Sequence, residues 1–200
     1  MSKPDASVSF NGGVIPGRSC GSCTLCCKLL EIEALEKPRN HWCAHCEIGS
    51  GCKAYDARPS ECRDFYCGFL TLPHLDAAWH PSVSKLIVCL EQGGHTIFVH
   101  VEPSRPNAWR AEPYYSRLKR WAHDAARCRG QVIVSLAKRR IVVLPDRDVD
   151  LGIVENDEVV VTEECCGLRG INLRPFKMKR SDPRAQKLLP SSSRPAMPTT

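Results

Sequence analysis

Nine cysteines, Cys20, Cys23, Cys26, Cys27, Cys43, Cys46, Cys52, Cys62 and Cys67, lie between residues 20 and 67 of a 200-residue chain with thirteen in all. Thiolates are soft metal ligands and nucleophiles, so this density offers metal coordination, redox exchange or disulfide cross-linking. A disulfide framework calls for an oxidising compartment and usually an even count. The count here is odd, and residues 1–19 lack the apolar stretch of a secretory signal. The expectation is a cytoplasmic protein whose thiols bind metal.

The spacing is C-x2-C-x2-C-C-x15-C-x2-C-x5-C-x9-C-x4-C. Two cysteines separated by two residues can turn both sulfurs toward one ion, because the tight turn between them aims backbone N–H groups at the thiolates. Cys20/Cys23 and Cys43/Cys46 are such pairs, and Cys23/Cys26 offers a third. Adjacent Cys26 and Cys27 are expected to diverge, serving two metals or splitting into one ligand and one packing residue. Four thiolates satisfy a zinc ion or the irons of one [4Fe–4S] cluster, so nine allow two centres. Zinc is the expected metal, with iron or [4Fe–4S] as the alternative. A zinc ion held by four thiolates carries net negative charge that nearby cations should offset; Lys28, Lys53, Arg58 and Arg63 are candidates. Large apolar residues are few in this stretch, so metal should supply much of its folding free energy.

Cys20-Gly21-Ser22-Cys23-Thr24-Leu25-Cys26-Cys27, followed by Gly51-Cys52-Lys53-Ala54-Tyr55-Asp56-Ala57-Arg58-Pro59-Ser60-Glu61-Cys62-Arg63-Asp64-Phe65, resembles the CxxCxxCC family, also called YkgJ-type, which is described as a zinc- or iron-chelating domain. The later segment matches C-x-x-Y-x-x-R-P-x-x-C-R-x-F at every fixed position, and the resemblance covers about residues 18–70. It implies that Cys20, Cys23, Cys26, Cys27, Cys46, Cys52 and Cys62 are cluster cysteines, with Tyr55, Arg58, Pro59 and Phe65 as framework. Cys43 and Cys67 are additions to that pattern. Pro59 suits the start of a short helix running toward Phe65.

His41 and His45 flank the Cys43/Cys46 pair and are the histidines placed to complete a Cys3His site. Cys89, in an apolar run, and Cys128, at a helix end, read as small hydrophobes. The vicinal Cys165-Cys166 pair reads as packing in a turn, with a metal or redox role as the alternative.

The composition of the rest, with 42% hydrophobic and 25% charged residues overall, excludes a wholly disordered chain. No apolar run reaches the roughly 18 residues of a membrane span. Residues 1–17 and 181–200 read as flexible tails, 18–70 as the cysteine module and 71–180 as an α+β domain. In that domain, residues 85–90 and 96–101 form a hairpin signal, residues 113–128 carry a helical stripe of Tyr114, Leu118, Trp121, Ala122 and Ala125, and residues 131–136 and 140–144 form a second hairpin. Glu158–Thr162 adds a strand. The expected fold class is α+β: a small irregular metal-stabilised module, then an antiparallel sheet with one covering helix.

Residues 1–102 hold 9 Lys+Arg against 11 Asp+Glu, and residues 103–200 hold 19 against 11. The basic half suits an acidic protein or nucleic-acid partner, with Trp109, Tyr114, Tyr115 and Trp121 as candidate stacking residues, or it is an ordinary solubility device. The sequence therefore points to a metal-binding cysteine-cluster protein, structural or redox-sensing; a redox or modification enzyme and an adaptor are the alternatives.

Overall fold

Short loops with frequent turns leave the cysteine-rich stretch little regular structure. Its elements are helix α1 (Leu25–Leu29), strands β1 (Cys46–Glu47) and β2 (Gly51–Cys52), and helices α2 (Ser60–Arg63) and α3 (Gly68–Thr71). Helix α4 (Pro81–Ser84) leads into strands β3 (Leu86–Leu90) and β4 (Thr96–Val101); helix α5 (Tyr114–Arg127) then precedes β5 (Gln131–Leu136), β6 (Arg139–Val143) and β7 (Asp148–Ile153). Strands β8 (Glu158–Gly167) and β9 (Gly170–Lys179) and helix α6 (Pro183–Leu188) follow. The computed structural model describes residues 13–90, 95–167 and 170–188. No helix among them is long and apolar enough to cross a membrane.

The fold is α+β, with β3 to β7 forming one sheet in sequence order. The expected all-antiparallel arrangement is corrected at its centre: β4 and β5 run parallel, with Thr96 opposite Gln131 and His100 opposite Ser135. A chain leaving β4 must cross back before it can pair in the same direction, and the segment carrying α5 makes that crossover. The α5 stripe is the one its periodicity predicts, with Tyr114, Leu118, Trp121, Ala122 and Ala125 buried. The helix ends through Arg129, whose φ of 55° places it in the left-handed region, and Gly130 N–H then closes on the Ala125 carbonyl at 2.8 Å. The left-handed residue is thus Arg129, one position before the expected glycine.

Alternation gives the sheet two faces. Val88, Ile97, Val99, Val101, Val132, Val134, Ile141 and Val143 face α5 and join Leu118 and Trp121 in the main core. Burying each such side chain contributes about 1.5–3 kcal/mol. The opposite face is covered as well. The cysteine module packs Leu25, Leu29, Cys67 and Leu70 on Ile87, while Val160 of β8 packs against Ile133 and Val142. The segment 158–162, expected as one more strand of the sheet, instead starts a long antiparallel hairpin with β9 that lies over this face.

Of the two expected tails, residues 1–12 and 189–200 lie outside the described residues, and the described parts are tied to the fold. Ile15 N–H donates to the Leu70 carbonyl at 2.9 Å, and the Arg18 guanidinium holds the carbonyls of Phe69, Leu72 and Pro73. At the other end Asp182 accepts from the Arg184 N–H at 2.9 Å, as an N-cap does, and Ala185 of α6 is buried against Val161 and Met178. The boundary near residue 70 is a shared core: α3 lies so close to β3 that a Cβ added at Gly68 would stand 3.0 Å from Val88 Cβ.

Candidate metal centre

Both C-x2-C pairs form the turns their spacing predicts. Cys23 N–H closes on the Cys20 carbonyl at 2.8 Å, with Gly21 at φ 52°, and Cys46 N–H closes on the Cys43 carbonyl at 3.0 Å. Between them, α1 buries Leu25 and Leu29 in the core shared with Leu70 and Ile87, which anchors Cys26 and Cys27 on the same short helix. Backbone bonds then gather the rest of the module. Cys43 N–H donates to the Cys27 carbonyl at 3.0 Å, and Cys46 stands directly across from Cys52 in the β1–β2 ladder. The short helix expected after Pro59 is α2, which carries Cys62.

The thiols fall into two neighbourhoods that meet at Cys27. Cys67 is buried beside Cys20 and Cys23, while Cys62 lies near Cys43, Cys52 and Cys27. The Cys27 thiol lies within electrostatic reach of Cys26 and Cys46. As the side chains are oriented, no three His, Cys, Asp or Glu among the described residues are grouped closely enough to hold an ion. No cysteine whose side chain is described forms a disulfide.

The electrostatics explain what the thiols lack. Burial pushes the Cys67 thiol up to about 11, with Cys20 and Cys23 adding to the rise, and burial followed by Cys27 does the same for Cys46, also up to about 11. The thiols of Cys20, Cys23 and Cys62 are raised by the same causes. The Cys27 thiol is raised first by its hydrogen bond with Cys26 and then by burial. Each thiolate is disfavoured by low polarity and by its neighbours, and a bound cation would offset both. A set of sulfur donors with few nitrogen or oxygen donors beside it suits a soft, thiophilic ion.

The cation that stands among the thiols is one that sequence reasoning missed. Lys37 is 6% exposed, and its ammonium donates to the carbonyls of Lys28, Leu30 and Pro38 while lying near Cys26, Cys27, Cys43 and Cys62. Its signal in the sequence was faint: one lysine before a proline in a loop. Of the four cations singled out, Arg58 is close to Cys20 and Cys62 and stacks on the Tyr55 ring at 3.6 Å. Lys28 turns away to Glu102, and Lys53 and Arg63 are exposed. Lys85, from the end of α4, lies near Cys23.

The other candidates fall outside the cluster. His41 and His45 are exposed, and the His41 ring bonds the Arg39 carbonyl. Cys89 packs beside Cys67, its thiol raised by burial. Cys128 packs against the main core beside α5. Cys165 is opposite Asn172 in the β8–β9 ladder, and the Cys166 side chain lies outside the described residues. Three of the four candidate stacking aromatics, Trp109, Tyr114 and Trp121, are core residues, and the Tyr115 hydroxyl is bonded to Asp148. Much of the basic half is paired: Arg110 and Lys119 with Asp148, Arg139 with Asp150, and Lys179 with Asp157. No family model, curated protein or solved structure matches the chain.

Proposed function

We propose that residues 18–70 hold one or two thiolate-ligated metal centres, with zinc as the metal and iron or a [4Fe–4S] cluster as the alternative. The observation that carries this reading is the backbone pairing that brings separate cysteine stretches together, with Cys43 N–H on the Cys27 carbonyl at 3.0 Å and Cys46 opposite Cys52 in the β1–β2 ladder, while Cys62 lies near Cys27, Cys43 and Cys52 and Cys67 lies beside Cys20 and Cys23. Chain entropy opposes such a convergence unless something holds it. The two neighbourhoods suggest the ligand partition: Cys20, Cys23 and Cys67 in one, Cys43, Cys46, Cys52 and Cys62 in the other, and Cys26 and Cys27 between them. The resemblance to the CxxCxxCC family supports the same assignment for seven of the nine, and reduced thiols suit a cytoplasmic setting.

A bound zinc ion would supply a structural link between loops that share few apolar contacts, and an iron centre would supply electron transfer or oxidant sensing. The chain's own part is to hold the loops in register through α1 and the β1–β2 ladder, and to set positive charge beside the sulfurs through Lys37 and Arg58. An adaptor role for the basic half has less support, because its aromatic residues are committed to the core.

Metal analysis with an ultraviolet–visible spectrum, on protein purified without oxygen, tests the reading. One or two zinc ions per chain with no visible absorption supports structural centres. Iron with sulfide and a broad band near roughly 400 nm supports the cluster. Fully folded protein that contains neither metal, and takes up neither when supplied, overturns both.

A further inference from the structure

Strand β3 turns alternate residues to opposite faces of the sheet. Leu86 and Val88 enter the main core with α5, whereas Ile87 and Cys89 face the cysteine module. On that side one packed cluster holds Ile87 with Leu25, Leu29, Cys67 and Leu70, and Cys23, Cys26 and Cys89 pack against it. Cys89 is therefore a thiol of the sheet that meets the module from outside residues 18–70. The other cysteines of the second half whose side chains are described do not share this place: Cys128 packs on the main core, and Cys165 lies in the β8–β9 ladder.

Backbone geometry brings Cys89 toward Cys67 in particular. Cys67 caps the start of α3, and the next residue, Gly68, stands against Val88, the residue before Cys89. A Cβ on Gly68 would lie 3.0 Å from Val88 Cβ, so the two cysteines flank a close approach of α3 to β3. Burial raises the Cys89 thiol, and Cys67 adds to the rise. Cys67 in turn lies beside Cys20 and Cys23, the pair whose turn closes at 2.8 Å.

A structural zinc ion takes four ligands in a tetrahedron. The neighbourhood of Cys20, Cys23 and Cys67 supplies three, and the cysteines packed on the same cluster that could be the fourth are Cys26 and Cys89. Cys26 lies with Cys27 beside the Lys37 ammonium, whose charge is shared with Cys43 and Cys62. That assigns Cys26 to the other neighbourhood and leaves Cys89.

We infer that Cys89 is the fourth ligand of the centre formed with Cys20, Cys23 and Cys67, so that one metal ion is held jointly by the module and the sheet. The inference rests on the metal-binding reading of the module and adds to it a ligand from β3. Each Sγ turns about a single χ1 bond, so the four sulfurs can close on an ion while the backbone keeps its place. Binding replaces the thiol protons with the ion, and the charge that burial disfavours on each sulfur is then compensated. Arg58, near Cys20, and Lys85, near Cys23, offset the net negative charge of a divalent ion with four thiolates. A ligand on a strand of the sheet is also positioned more firmly than one on a loop.

The probe is NMR-active cadmium, a soft divalent ion suited to thiolate sites, supplied to the full chain after its own metal has been removed. A proton–cadmium correlation spectrum should show the Cys89 β-protons coupled to the same ion as those of Cys20, Cys23 and Cys67, a readout that needs no variant to fold. Cys89→Val keeps an apolar side chain of similar size in the cluster. It should shift that one cadmium resonance and weaken that ion's binding about 100-fold against a chromogenic chelator, the upper end of the range for groups that only support a ligand. Cys26→Ser should leave the Cys89 coupling in place. Cadmium coupled to Cys20, Cys23 and Cys67 but not to Cys89, or an unchanged affinity in Cys89→Val, overturns the inference and leaves the metal-binding reading standing. A chain that takes up no cadmium overturns the zinc reading and this ligand with it.

Discussion

The Lys28 ammonium donates to a Glu102 carboxylate oxygen at 2.6 Å, with Glu102 side-chain exposure of only 8%. This pair ties α1, the helix that carries Cys26 and Cys27, to the chain leaving β4. Lys28 also lies over the Trp42 ring at 5.5 Å. The module thus meets the sheet through charge as well as through the core shared by Leu29, Leu70 and Ile87.

Breaking that pair on one side leaves the other charge poorly solvated. Glu102→Leu or Lys28→Met should each lower stability by about 1–3 kcal/mol, because a partly buried ion loses its counter-charge. The double variant Lys28→Met/Glu102→Leu should recover part of that loss. Urea denaturation of the four proteins checks this, and strictly additive losses would show that the two residues are not coupled.

Lys37 is expected to matter for the metal more than for the fold of the sheet. Lys37→Met removes a positive charge beside Cys26, Cys27, Cys43 and Cys62 and should weaken metal binding about 10–100-fold, the range typical of groups that support ligands. Lys37→Arg, which keeps the charge, should retain most of the affinity. Competition with a chromogenic chelator reads both.

Chelation should loosen the module before the sheet. With metal removed, amide signals from residues 18–70 should broaden, while those of β4, β5 and β6, packed under α5, persist. Ile87 is the exception to watch, since it packs against the module side. Unchanged spectra in fully demetallated protein would remove the structural role of the metal.

Acid should weaken the fold through His100. Burial first, then the charges of Arg39 and Arg140, lower its pKa to about 3 from 6.5. The unfolded chain therefore binds a proton that the folded chain refuses. The folded state is at full strength above pH 6.5 and loses stability as pH falls from 6.5 toward 3, by about 2 kcal/mol at pH 5. Comparing urea midpoints of the native protein and His100→Gln in phosphate-free buffer at pH 7.5 and 5 isolates this contribution. Equal pH dependence in the two proteins would refute it.

Gly68 tests the contact between module and sheet. An added Cβ would meet Val88 Cβ at 3.0 Å and Leu72 Cδ1 at 3.2 Å. Gly68→Ala should cost about 1–3 kcal/mol by overpacking, measurable as a drop in Tm, and Val88→Ala in the same chain should relieve part of it.

What the sequence determined by itself is local. A period of 3.6 residues set the α5 stripe, β-branched runs bounded by turn residues set the sheet strands, and the two-residue spacing of Cys20/Cys23 and Cys43/Cys46 set their turns. Each depends on hydrogen bonds and side-chain directions within a few residues, and so each is legible along the chain. What tertiary structure decided depends on distance in space. The parallel pairing of β4 with β5 follows from where α5 brings the chain back. The landing of Lys37 among four thiols and of β8 on Ile133 follows from packing between segments far apart in sequence. Charge and burial act through separation in three dimensions, so the counter-charge of the cysteine cluster could not be read from spacing.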